Sequence, residues 1–475
     1  MIILQPKISE EIQEFLQEKK MVRSLVQAFG SPLNLVFPHQ ISENLKKFQA
    51  TMAHEGVRGK VYFAHKTSQS QAFIRTLAIS DACIDVASER ELKNALSCGM
   101  EGKRIEATGP KSPEFLLLAV MHGVLISVDS VFELQQVVEL AQKLGKKVAV
   151  LLRMSGFDKS GEEILKKESR FGIAVQEFER AIEVLSDGKS FLDFQGLAFH
   201  LDSIEVKEKV RAIEQCLELI QRLRTAGFES RFLNIGGGFK VNYLEKQEQW
   251  IEFMSQLKEM TMGQRENSIW HNQTFGLRSE KGVLRGSFNS YQFFETQVAE
   301  KYLAEILNFH SEKYGQRIAD LIAENLLELI IEPGRAMADQ CGITVAKVNF
   351  IKKSSKGNLL VGVGMKRSDL SFLDQEFFVD PIHISLVENS ASNHSAEVFI
   401  VGNLCLETDV ILKRKIVVKQ IPALGDLFVF VNTAGYSMDF NSTASIQQNI
   451  APKIVIHKLG EEFCFVLDEN YYPTL

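Results

Sequence analysis

The residues with chemical capacity in this chain stand where short apolar runs end. Lys66 follows the run Val61 to Ala64, Asp85 and Ser88 close the next, Arg153 ends a fifth, and His200 and Ser203 end a sixth. Gly236, Gly237 and Gly238 follow the seventh, and Glu332, Gly334 and Arg335 follow the eighth. A lysine amine condenses with an aldehyde to give an imine, and a substrate amine can free it again for proton transfer. Three glycines where a strand hands over to a helix leave backbone N–H groups bare at a positive helix end, where a phosphate fits. A tight turn alone explains such a triplet equally well, because neither GxGxxG nor a P-loop Gly-Lys-Ser/Thr is present. Arg335 could supply a cation to the same phosphate.

A parallel barrel would bring these scattered groups together. Apolar runs at Val61 to Ala64, Ala82 to Val86, Arg104 to Ala107, Val124 to Val128 and Lys147 to Leu152 each begin roughly 20 residues after the last, with amphipathic stretches such as Glu91 to Cys98 and Phe132 to Leu144 between them. Three more follow at Phe194 to Phe199, Phe232 to Ile235 and Leu327 to Ile331. Eight strands alternating with helical segments are the count that closes a (β/α)8 TIM barrel, and the C-terminal strand ends then form one rim where active sites lie. A doubly wound open sheet is the alternative from the pattern alone.

The barrel is expected over residues 36–337. A polar, aromatic-rich block near 250–294 reads as an insertion, in which Ser287 to Phe294 could line a substrate entrance or a subunit contact, or simply pack. Runs with turn signals at Thr344 to Ile351, Leu359 to Val363, Ala396 to Val401, Lys415 to Val418, Asp426 to Val431 and Lys453 to His457 predict an all-β C-terminal domain, a sandwich or barrel. Residues 1–35 and 338–475 are assigned to it, and Leu33 to Phe37 is placed to pair into its sheet.

Composition narrows the partners. With 45% hydrophobic and 24% charged residues the chain is expected to be globular, and its length favours two domains. A net charge of −6 without a basic block argues against nucleic acid, and no uncharged run approaches a membrane span. The start lacks a basic n-region and a long apolar run, so a cytoplasmic protein acting on a small molecule is the expectation. Six cysteines show neither metal-ligand nor disulfide-scaffold spacing, so no metal site is expected.

The ordered set Tyr62-Phe-Ala-His-Lys66, Asp85-Val-Ala-Ser-Glu-Arg-Glu-Leu92, Phe199-His-Leu-Asp-Ser203, Gly236-Gly-Gly-Phe239, Glu332-Pro-Gly-Arg335, Cys405 with Asp409, and Tyr436 near Asn441 resembles the motifs of the diaminopimelate and ornithine decarboxylases, from Leu33 to the end. That resemblance implies an alanine-racemase-like barrel with a pyridoxal 5′-phosphate cofactor held by Lys66 as a Schiff base. It implies Glu332 against the pyridine nitrogen, where a carboxylate keeps the ring an electron sink. His200 would stack on the ring, and Ser203, Gly236 to Gly238, Gly334, Arg335 and Tyr436 would serve the phosphate. Asp85 and Arg153 fall in cofactor-binding motifs, Arg153 with either a direct or a structural role. Cys405 resembles the cysteine that enters a neighbouring subunit's site, where a thiol can return a proton to the α-carbon, which implies a homodimer with shared sites.

The pattern departs from the family at the pocket. An acidic residue directly follows this cysteine in diaminopimelate and ornithine decarboxylases, and here the position is Leu406, which cannot pair with a buried ammonium. Glu407 or Asp409 would have to substitute, so Leu406, Glu407 and Asp409 are the candidate substrate-binding residues. Asp202 replaces a usual glycine, His65 precedes the lysine, and Val361-Gly-Val-Gly364 lacks the family's acidic residue. The expectation is an amino-acid decarboxylase of a divergent subgroup, with a substrate larger or more unusual than diaminopimelate or ornithine. A racemase on the same scaffold and a non-catalytic regulatory homologue are the alternatives.

Overall fold

The computed structural model describes residues 3–157, 169–201, 203, 205–373, 375–385 and 395–473, so Asp202 lies outside the described residues. The chain divides into two units, one comprising Met1–Gln40, Val241–Thr296 and Ala338–Asn470 and the other Ile41–Lys240, Gln297–Met337 and Tyr471–Leu475. Residues 241–296, read from sequence as lying within the barrel's span, cluster with the β-rich unit.

Strand β1 (Leu33–Val36) belongs to that β-rich unit. The eight apolar runs of the other unit become β2 (Gly59–Ala64), β3 (Cys83–Val86), β4 (Ile105–Ala107), β5 (Leu125–Val128), β6 (Val148–Ser155), β7 (Leu192–Ala198), β8 (Phe232–Asn234) and β9 (Glu328–Ile331). They pair in parallel in chain order, and β9 returns to β2, closing a TIM-like barrel. Parallel strands carry side chains into packing on both faces, which is why they read as continuous apolar runs. Inside, Tyr62, Cys83, Leu125, Leu151, Ala198, Phe232 and Ile330 pack into one plug. The barrel is therefore solid below, and open chemistry is left to its C-terminal rim.

Local sequence fixes the helices that follow these strands. Ser88, Ser112 and Ser130 cap Glu89–Ser97, Pro113–His122 and Val131–Leu144, accepting from Glu91, Phe115 and Glu133 N–H groups at 3.2, 3.2 and 3.1 Å. Losing such a cap costs about 1 kcal/mol. Gly123 and Gly145, at φ 67° and 59°, end the latter two in the left-handed conformation that lacks a steric penalty only for glycine.

In the other unit the axis is β10 (Gly342–Lys353), followed by β11 (Leu359–Val363), β12 (Ile382–Ile384), β13 (Ala396–Val401), β14 (Val410–Val418), β15 (Leu427–Val431), β16 (Lys453–Leu459) and β17 (Glu462–Leu467). The sheet runs β14-β13-β11-β10-β1-β16-β17, with β15 on the first half of β10 and β12 on β15. Leu33 to Val36 thus pairs with both β10 and β16, as its sequence position suggested. Two helices, Glu10–Gln17 and Lys19–Phe29, set Phe15, Leu16, Val22, Leu25 and Val26 against Leu33, Leu35, Val345, Val429 and Ile454. The Ser287 to Phe294 stretch packs: Phe288 and Phe293 lie 5.5 and 5.6 Å from the fully buried Phe378, beside Trp250 at 5.8 Å. No described helix is long and apolar enough to cross a membrane.

Candidate active site

Lys66 sits in the single turn His65–Thr67 after β2. The preceding residue fixes that turn. His65 is buried and its Nδ1 donates to the Ser68 carbonyl at 3.1 Å, while Asn94 Nδ2 donates to its Nε2 at 3.1 Å. Both ring nitrogens are thus committed, which holds the backbone from which Lys66 projects.

A cavity of about 640 Å³ opens at the strand ends, lined by Lys66, Thr108, Arg153, His200, Glu208 and Glu332 among others. Its size falls within the roughly 300–1,000 Å³ typical of small-molecule pockets. Glu332 is buried and accepts from Asn234 Nδ2 at 2.7 Å, and its other oxygen lies 3.7 Å from His200 Nδ1. Burial works to raise the Glu332 carboxyl, but its polar neighbours, the Lys66 ammonium and the Asn234 amide among them, outweigh it and hold the group below the ordinary carboxylate range. His200 is driven the other way by burial, with the Lys66 charge adding to it. The Gly237 N–H donates to its Nδ1 at 3.2 Å, which also requires that nitrogen unprotonated.

Asp85, at the end of β3, accepts from Thr108 Oγ1 at 2.5 Å, and its second oxygen is buried with no hydrogen-bond partner among the described residues. Burial and the facing Glu332 push Asp85 up to about 7. Gly236 and Gly238 have φ of 67° and 85°. A Cβ on Gly236 would meet the Phe199 carbonyl at 2.7 Å, and one on Gly237 the Glu332 carbonyl at 2.8 Å, so the loop admits no side chain. Ser203 lies against this loop, its carbonyl 3.1 Å from where a Gly238 Cβ would stand, and its hydroxyl accepts from Glu205 N–H at 3.0 Å. Gly334 is buried and Arg335 half-buried in the short helix Gly334–Met337 after β9. Arg153 is committed to the rim: its guanidinium lies 3.3 Å from Asp129 and over the Phe171 ring at 4.8 Å.

The β-rich unit carries the remaining candidates. Cys405 and Leu406 are exposed on the segment between β13 and β14, and Glu407 beside them is exposed too. Asp409 is not an open carboxylate. Its oxygens accept from Arg367 N–H and Leu404 N–H, each at 2.8 Å, so it shapes the segment that presents Cys405. Tyr436 adopts φ 69° and packs on Phe372 at 4.6 Å.

Sequence reasoning singled out neither Glu106 nor Lys209. Glu106 is a lone charge inside a strand, directly opposite Asp85 in the β3–β4 register. Lys209 is fully buried on the helix Val206–Thr225 and donates to the Ile235 and Gly237 carbonyls at 3.0 and 2.7 Å. Burial lowers it to about 8. A lysine flanked by apolar residues on a helix face gives no such signal.

The donor set fits pyridoxal phosphate. It offers an amine at Lys66, an ionised carboxylate at Glu332, a neutral imidazole at His200 and a loop bare of side chains beside an arginine-bearing turn.

Comparison with known proteins points the same way. The family described as pyridoxal-dependent decarboxylase, pyridoxal binding domain, matches residues 39–281. An uncharacterized protein, y4yA, of Sinorhizobium fredii is 28% identical over 94% of this chain and 90% of its own length. Diaminopimelate decarboxylase of Staphylococcus aureus is 23% identical over 93% of this chain and 91% of its own. Among solved structures, diaminopimelate decarboxylase from M. jannaschii has a TM-score of 0.70 at 19% identity, covering 94% of this chain and 91% of that one. Arginine decarboxylase of Paramecium bursaria Chlorella virus has a TM-score of 0.65 at 16% identity, covering 92% and 99%.

Proposed function

The chain belongs to the pyridoxal-dependent decarboxylase family, with pyridoxal 5′-phosphate as its cofactor, and from that premise we propose that it removes the α-carboxylate of an amino acid larger or more unusual than diaminopimelate or ornithine. The observation that carries the chemistry is the convergence of Lys66, His200 and Glu332 on one cavity, with Glu332 held ionised. Bound pyridoxal phosphate supplies an aldehyde and an electron-accepting ring. Lys66 would hold the cofactor through its amine and move protons at its face. Glu332 would keep the ring nitrogen protonated, and His200, neutral, offers a flat face rather than a competing charge. The glycine loop, Ser203, Gly334, Arg335 and Tyr436 would take the phosphate, while Asp85 and Arg153 hold the rim around it.

Cys405 would return the proton to the α-carbon from a second copy of the chain, which makes a homodimer the working form. The substrate reading rests on the residues just after that cysteine. Leu406 stands where a distal ammonium would need a carboxylate, and Asp409 is engaged with backbone N–H groups. Of the candidates Leu406, Glu407 and Asp409, Glu407 alone is an open acid, so a lone terminal ammonium is poorly served.

The test is carbon dioxide release from a panel of L- and D-amino acids by the cofactor-loaded protein. Release from long or branched substrates in preference to diaminopimelate and ornithine is the expected result. Inversion without gas release would make it a racemase, and strongest turnover of ornithine would overturn the substrate reading.

A further inference from the structure

Above the apolar plug, the next inward-facing positions of the barrel are polar: Asp85 on β3, Glu106 on β4, Ser127 on β5, Asn234 on β8 and Glu332 just past β9. In the closed strand order, β4 and β8 are four strands apart in a ring of eight and so stand on opposite walls. Glu106 nevertheless reaches Asn234. Both its carboxyl oxygens lie 3.0 Å from Asn234 Nδ2, so the side chain spans the barrel under the cavity.

The amide it meets has no rotational freedom left. Asn234 Oδ1 accepts from Gly236 N–H at 2.8 Å, which turns Nδ2 toward the carboxyls. One N–H of that nitrogen goes to Glu106 and the other to Glu332 Oε1 at 2.7 Å. Two buried acids therefore share one neutral amide nitrogen, with Asp85 opposite Glu106 on the neighbouring strand. Lys66 faces Asp85 and Glu332 and Lys209 faces Glu332 as well, whereas among the described residues no ion pair reaches Glu106. Buried acids this close do not all ionise. Burial, Glu332 and Asp85 all raise Glu106, against the hydrogen bonds of Asn234 and Ser127.

We propose that Glu106 is a positioning residue of the cofactor site. As a neutral acid it clamps Asn234 across the barrel, and through that amide it aims Glu332, leaving Glu332 as the charged acid that meets the cofactor ring. The proposal rests on the assignment of Glu332 to the ring nitrogen. A neutral carboxyl has a close mimic in glutamine, which keeps the oxygen that accepts from Asn234 and offers an N–H toward Ser127 in place of the acid proton. Leucine fills the space and removes the acceptor. Aspartate keeps the acid but falls one methylene short.

The experiment compares wild type with Glu106→Gln, Glu106→Leu and Glu106→Asp in two states. In the cofactor-free protein at pH 8, infrared difference spectroscopy should show a protonated carboxyl band in wild type that is missing from Glu106→Gln. With pyridoxal phosphate added, the pH midpoint of the visible absorbance and the Kd are read. Glu106→Gln should stay within about 3-fold of the wild-type Kd with an unmoved midpoint, while Glu106→Leu or Glu106→Asp weakens Kd about 10-fold and moves the midpoint by about one unit. Glu106→Asp carries the test if Glu106→Leu does not fold. Glutamine failing as leucine does would mean the charge is needed, and unmoved midpoints in all variants would mean Glu106 only fills space; either overturns the proposal. A wild type that binds no pyridoxal phosphate sinks the functional reading instead, and the infrared band then decides whether Glu106 carries a proton.

Discussion

Asp85→Asn should stabilise the cofactor-free protein in alkaline solution and do little in acid. The Asp85 carboxyl is enclosed, with one oxygen on Thr108 and the other without a hydrogen-bond partner among the described residues. Burial first, then Glu332, raise it from 3.8 to about 7. A folded state that holds a proton more tightly than the unfolded chain gains stability that is full below the unfolded value and is lost as pH rises through the folded one. A displacement of about three units corresponds to about 4 kcal/mol. Asparagine keeps the acceptor for Thr108 and carries no charge at any pH. At pH 4 the two proteins should unfold alike, and by pH 8 the variant should be ahead by about 2–4 kcal/mol, roughly 5–10 °C in Tm for a unit of this size. Thermal unfolding followed by circular dichroism across pH 4 to 8 measures this. Parallel Tm curves for the two proteins would refute the enclosed-acid argument.

Three further perturbations probe other parts of the molecule. Gly237→Ala sets a Cβ 2.8 Å from the Glu332 carbonyl, a backbone atom that cannot swing aside, so absorbance titration should show pyridoxal phosphate affinity lowered about 10-fold and stability reduced by about 1–3 kcal/mol. Lys209 is depressed from 10.5 to about 8, so the unfolded chain holds its proton longer, and the stability of the cofactor-free protein relative to Lys209→Met should climb as pH rises from 8 toward 10. Gly402→Ala drives a Cβ into Asp409 Oδ2 at 2.1 Å and disrupts the segment bearing Cys405. Cofactor uptake should survive that change while turnover falls about 10-fold or more; equal turnover would remove Cys405 from the reaction.

The eight barrel strands were legible because each carries a mostly buried apolar run bounded by turn residues, and β1 was legible because its apolar run precedes the first barrel strand. Strand β14 begins at Val410, earlier than the Lys415 to Val418 run suggests, because Lys413 and Arg414 interrupt the apolar pattern. Arg414 is buried in a pair with Asp380, a partner 34 residues away that no local window contains. The helices between Glu10 and Phe29 were missed. Their apolar stripe, Met21, Val22, Leu25, Val26 and Phe29 in the second, keeps helical spacing and was legible; the sheet beneath shows what it packs against. At the site, residues at strand ends could be found by position, but Glu106 acts across the barrel and depends on strand closure. Asp409 resembles a ligand in sequence, and only its two N–H donors reveal a structural task.

The central claim is that Lys66 carries the cofactor, and it is tested most directly by reducing the pyridoxal phosphate-loaded protein with borohydride and mapping the modified peptide by mass spectrometry. One phosphopyridoxyl group per chain is expected, on Lys66, together with loss of the visible band in Lys66→Ala. Labelling spread over surface lysines, or an unchanged band in Lys66→Ala, would contradict it.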